Sequence, residues 1–147
     1  MAECERAVAL NPSYTDWRFI IVLVQSGQHE RAVDVGEAHL RLDPFTVPVA
    51  RGWLGLAYYL LRRYPEAVAS LREFALQAPN HPGRAWLVAA YAQMGRLEEV
   101  RAEVADVLRR DPRWSRGLKK PFYLLDEDAD HLLEGMRKAW LPDREGL

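Results

Sequence analysis

The sequence predicts an all-α protein of stacked helical hairpins, and two observations carry that reading. Asn11-Pro12, Asp43-Pro44, Ala78-Pro79 and Asp111-Pro112 recur at separations of 32, 35 and 33 residues. A near-constant period of this length marks repeated supersecondary units rather than one compact core. Each proline ends the apolar, helix-forming stretch before it, because it has no N–H to donate and its ring clashes with the preceding turn. The second observation is that each complete interval between prolines holds two amphipathic stretches joined by a short break.

Taken in order, the first complete unit runs from Trp17 to Gln25, breaks at Ser26-Gly27-Gln28 and resumes from Glu30 to Leu42. The next runs from Val49 to Leu61, turns at Arg62-Arg63-Tyr64 and restarts with Pro65, where the first helical turn has spare N–H groups. The last runs from Arg84 to Met94, breaks at Gly95-Arg96 and resumes from Leu97 to Arg110. Gly27 and Gly95 suit the left-handed conformation that closes a helix. Six helices in three hairpins follow, with little or no strand. Beyond Trp114, a short segment closing at Gly117 leads to Lys119-Lys120-Pro121-Phe122 and a final helix that begins between Asp126 and Asp130 and runs to Trp140. Leu132, Leu133, Met136 and Ala139 give that helix one apolar side. Its acidic start and Arg137-Lys138 near its end suit the helix dipole.

Composition narrows the function. With 49% apolar and 28% charged residues the chain has the make-up of a globular domain. A formal net charge of −1 offers no field for nucleic acid or an anionic membrane surface. The pairs Arg62-Arg63, Arg109-Arg110 and Lys119-Lys120 read as charges at helix C-termini. The apolar run Phe19–Val24 is too short to span a bilayer, and Met1–Arg6 lacks the apolar stretch of a secretion signal. Cys4 is the only cysteine, so neither an internal disulfide nor a thiolate metal site can form, which fits a cytoplasmic location.

These units resemble the tetratricopeptide repeat. That family's pattern has Leu-Gly and Tyr on the first helix, then Ala, a large apolar residue and Pro on the second. Leu54, Gly55, Tyr58, Ala67, Leu71, Phe74 and Pro79 carry it best. Leu87, Tyr91, Gly95, Val104 and Pro112 follow it in the next unit, and Phe19, Leu23, Gly27, Ala32 and Pro44 in the one before. The resemblance implies a right-handed superhelix with a capping helix. The units are residues 13–44, 45–79 and 80–112, preceded by a half repeat over 1–12 and followed by a cap over 113–147, all in one domain. In the half repeat only Cys4, Ala7 and Pro12 match. Either the chain is the C-terminal part of a longer protein, or a second copy covers the exposed edge. The segment Leu132–Ala139 followed by Leu141-Pro142 is similar to the end of bacterial tetratricopeptide proteins with a cyclase or DNA-binding regulator domain upstream.

In this family the first helix of each hairpin lines a concave face. The register implied by the resemblance places Arg18, Ile21, Val24 and Gln25 there, with Trp53, Leu56, Tyr59 and Leu60 from the second hairpin. The third adds Trp86, Ala89, Ala92 and Gln93. Aromatic side chains of this kind anchor interfaces, and such a groove suits an apolar or amphipathic protein segment. Three arrangements are open at this point: core covered by neighbours, a groove filled by the last helix, or a free groove. The Lys/Asn/Arg clamp of chaperone-tail binders is not carried by Trp17, Ile21, Gly52, Trp53, Leu56 and Trp86.

No catalytic constellation emerges. His29, His39, His81 and His131 fall in different units, with His29 and His81 at turn positions that suggest solvated side chains. Asp126, Asp128 and Asp130 alternate as in a calcium loop, but His131 and Arg137 stand where glycine and glutamate are needed. They are expected to form an acidic first turn. The expected function is a non-enzymatic protein–protein interaction module without metal or cofactor, the C-terminal regulatory part of a bacterial signalling protein. The alternative is a homo-oligomerisation element that uses the N-terminal edge as a homodimer contact.

Overall fold

The computed structural model describes residues 16–114 and 120–145. The half repeat over 1–12, the turn closing at Gly117 and the side chain of Trp140 lie outside the described residues. The described chain is all-helical, with no strand among the described residues. Three hairpins follow one another: α1 (Arg18–Gln25) with α2 (His29–Leu42), α3 (Pro48–Leu60) with α4 (Tyr64–Gln77), and α5 (Arg84–Gln93) with α6 (Leu97–Arg110). A final helix, α7 (Asp126–Glu145), completes the order. The six hairpin helices start within one residue of the sequence expectation, and the five whose ends were expected stop within one residue of them. Helix α7 runs beyond the expected end at Trp140, to Glu145.

Each hairpin closes through the same turn. Gly27, Arg62 and Gly95 stand at the same place after α1, α3 and α5, with φ of 82°, 63° and 70°. In all three a pair of backbone bonds ties the turn to the helix end. The N–H of Gln28 donates to the Leu23 carbonyl at 2.8 Å, Arg63 to Tyr58 at 2.9 Å and Arg96 to Tyr91 at 3.0 Å. This double closure satisfies carbonyls that would otherwise be left without partners. Arg62 therefore holds a conformation that glycine adopts far more cheaply.

Small residues set the spacing inside the hairpins. A Cβ on Gly55 would lie 2.5 Å from Leu71 Cγ, so α3 and α4 meet at a distance only glycine permits. Phe74 fills the space beneath Gly52 and stacks near Trp86, which joins the second hairpin to the third. Arg84 is buried at the start of α5, where its guanidinium reaches Asp106 and Glu103 on α6, each at 2.6 Å.

Burial is uneven along the stack. Helix α6 buries one stripe, Val100, Val104 and Val107. Helix α5 buries every residue from Arg84 to Ala92, and α3 every residue from Leu54 to Leu60. A helix apolar all round must be covered all round. Hairpin partners cover one side of each. Helix α7, which packs on α5 and also touches α3 and α6, covers another.

Candidate functional site

The surface singled out by the sequence is the side of α3 and α5 that faces α7. Trp53 and Trp86, at matching positions, meet edge to face with centroids 5.2 Å apart. Tyr123 joins them, 5.9 Å from Trp53, and its hydroxyl accepts a bond of 3.3 Å from the Trp86 indole. Trp53 remains half-buried and Trp86 is buried. One turn on, Leu56, Tyr59 and Ala89 are 0% exposed, and Leu60 is buried beside them. This face is thus not free: the last helix packs against it, mainly on α5.

Tyr59 is the centre of that seat. Its hydroxyl donates to the His131 carbonyl of α7 at 2.7 Å and accepts from Gln93 Nε2 at 3.0 Å. Lys138, two turns along α7 from His131, donates to Gln93 Oε1 at 2.9 Å. Over the same hydroxyl lies Gly135, where a Cβ would fall 2.2 Å from the Tyr59 oxygen and 3.0 Å from Ala89 Cβ. Burial drives the Tyr59 phenol well above the ordinary tyrosine range, so it stays protonated and remains a donor.

The N-terminal end of α7 is held by charge and ring contacts. His29 Nε2 and Asp128 Oδ2 lie 2.9 Å apart, both largely shielded from solvent. His131 is buried, stacks on Tyr59 with centroids 4.6 Å apart, and shares a 2.7 Å hydrogen bond with the Tyr64 hydroxyl. Burial first, then the nearby Arg62 guanidinium, holds the His131 imidazole below its ordinary value. The expectation of a solvated His29 is corrected, because the fold brings Asp128 onto it from 99 positions away in the chain. His81 is half-buried against the edge of Phe74 and accepts the Gly83 N–H. Asp126, Glu127 and Asp128 do form an acidic first turn, and Lys120 bridges Asp126 and Asp130. Among the described residues no group of three or more His, Cys, Asp or Glu side chains is arranged to hold a metal ion.

The first hairpin contributes less to this seat. Arg18 is exposed and paired with Asp16 at 2.7 Å, Gln25 is exposed, and Ile21 is half-buried. At the other end, a cleft of about 460 Å3 opens beside Trp86, lined also by Pro82, Trp114, Phe122, Tyr123 and Met136. Phe122 is 97% exposed at its rim. Sequence reasoning missed Gly135, Lys138, His29 and Tyr64 as parts of one site. Only Gly135 gave a signal, since a glycine inside a helix is costly and points to a close approach. Among the described residues no helix is long and apolar enough to cross a membrane.

No protein-family model matches the chain, and no curated protein matches it.

Proposed function

We propose that this chain is a non-enzymatic protein–protein interaction module of the tetratricopeptide type, whose groove takes an apolar or amphipathic helical segment. The observation that supports this best is that such a helix already sits on α3 and α5, held by Tyr59, Ala89 and Gln93, while Trp53 and Trp86 pack on Tyr123 just before it. The repeat pattern around Leu54, Gly55, Tyr58, Ala67, Leu71 and Phe74, together with three identical hairpin turns, supports the family assignment. Leu56 and Leu60 form the floor, and Arg18, Ile21 and Gln25 extend the face toward the first hairpin. The titratable groups nearest the groove are engaged in holding α7, which favours binding over catalysis. Placement as the regulatory C-terminal part of a bacterial signalling protein rests on the resemblance of the Leu132–Ala139 segment alone.

The test uses the full chain with Leu132→Glu, which puts a charge into a side-chain site that is 1% exposed and unseats α7. A peptide of the Leu124–Ala139 sequence should bind this variant by calorimetry and bind the unaltered chain far more weakly. Adding Trp53→Ala or Trp86→Ala should cost about 2 kcal/mol or more of that binding. No binding to a Leu132→Glu chain that keeps its helical circular dichroism would sink the groove reading.

A further inference from the structure

We infer that the groove selects its helix by a glycine, read by the Tyr59 hydroxyl, so that a partner must carry glycine where α7 carries Gly135. This deepens the proposed function and rests on it. The Tyr59 oxygen lies against the α7 backbone, bonded to the His131 carbonyl one turn before Gly135. Even the smallest side chain at position 135 would place its Cβ 2.2 Å from that oxygen, and Ala89 closes the site from the other side with Cβ at 3.0 Å and carbonyl oxygen at 3.1 Å. Tyr59 is held from outside α7 as well, by Gln93, which donates to its hydroxyl at 3.0 Å, and by Tyr64, whose ring meets it edge to face with centroids 5.3 Å apart. Both the steric and the polar part of the contact thus fall on one turn of helix, and they fix its register.

The occupant in this structure shows the rest of the chemistry. Relative to the glycine, apolar residues stand three before, one after and four after, as Leu132, Met136 and Ala139. An acid stands seven before, facing His29, and a lysine three after, facing Gln93. The partner inferred is an amphipathic helix of another protein with this pattern, which displaces α7 by matching it. In this account α7 is a built-in competitor that keeps the wall covered until such a helix arrives.

The experiment compares two synthetic peptides of the Leu124–Ala139 sequence, one unaltered and one with Gly135→Ala. Both are titrated into the full Leu132→Glu chain and into the same chain with Tyr59→Phe. With the Tyr59 hydroxyl present, the alanine peptide should bind about tenfold or more weakly. That ratio should narrow in the Tyr59→Phe background. Equal binding of the two peptides overturns the inference and leaves the groove reading standing, whereas failure of both removes the groove reading as well. A second measurement does not need a free groove. In the full chain Gly135→Ala should lower the melting temperature although alanine is the better helix former, and less so when combined with Tyr59→Phe. A Gly135→Ala chain as stable as wild type overturns the inference.

Discussion

At the scale of single residues, the three hairpin turns form a natural control on one another. Gly95 and Arg62 hold nearly the same left-handed backbone, but only one of them is glycine. A Cβ on Gly95 would meet nothing within 4 Å, so Gly95→Ala tests backbone strain without steric interference. It should cost about 1 kcal/mol in urea unfolding, and Arg62→Gly should gain up to about 1 kcal/mol, the left-handed penalty outweighing the greater freedom of glycine in the unfolded chain. The same sign for both changes would mean that contacts of the Arg62 side chain, not its backbone, decide the turn. His131 gives a pH prediction at this scale. Burial and Arg62 hold its folded value below the ordinary one, so the folded chain binds fewer protons than the unfolded chain just beneath that value. Stability from neutral His131 is then present above about pH 6.5 and lost as pH falls through the ordinary value toward the folded one. His29, Asp128, Glu134 and Arg62 also face this ring, so the wild-type curve alone mixes several groups. The gap in melting temperature between wild type and His131→Asn isolates it. That gap should narrow between about pH 8 and about pH 5, and a constant gap would show that His131 acts only by packing.

At the scale of elements, helices α3 and α5 differ from α6 in the number of neighbours they must satisfy. Helix α6 has one buried stripe and its sequence shows it, with Glu98, Glu99, Arg101 and Arg109 on the outside. The run Ala85-Trp86-Leu87-Val88-Ala89-Ala90-Tyr91-Ala92 has no charged side chain, a pattern that requires cover on every side. Helix ends were legible in the sequence because proline and glycine act through local backbone chemistry. Where α7 docks was not, because its contacts join positions that no local rule relates: His29 to Asp128, and Tyr59 to the His131 carbonyl. Phe74 shows how one side chain couples two elements, since it packs under Gly52 of α3, against the ring of His81 and near Trp86 of α5. Truncation by Phe74→Ala should cost about 3–5 kcal/mol, measured by urea unfolding, because neither hairpin can close the gap without parting from the other. A loss below about 1 kcal/mol would mean that the two hairpins collapse onto each other freely.

At the scale of the whole molecule, the hairpins and α7 represent two different kinds of cohesion. A stack in which each hairpin meets the next should behave as a chain of coupled units, with stability falling toward a weakly held end. Helix α7 works against that, since it spans α3, α5 and α6 and ties its N-terminal turn to His29 of α2. The first hairpin has the shortest helix, α1, and it is tied to α7 by the His29–Asp128 pair and to the residue just before α7 by the close approach of Leu125 to Gly27. Native-state hydrogen exchange should therefore show amides of α1 and α2 opening at lower free energy than those of α3 and α5. Leu23→Ala, at a side chain with 0% exposure, should speed exchange across residues 18–42 and leave the amides of α5 protected. His29→Ala should reproduce part of that effect through loss of its bond to Asp128, and should also speed exchange in the first turns of α7. If Leu23→Ala instead lowers protection equally from α1 to α6, α7 has joined the stack into one cooperative unit. Displacing α7 by a partner helix would then loosen every hairpin rather than simply uncover the wall.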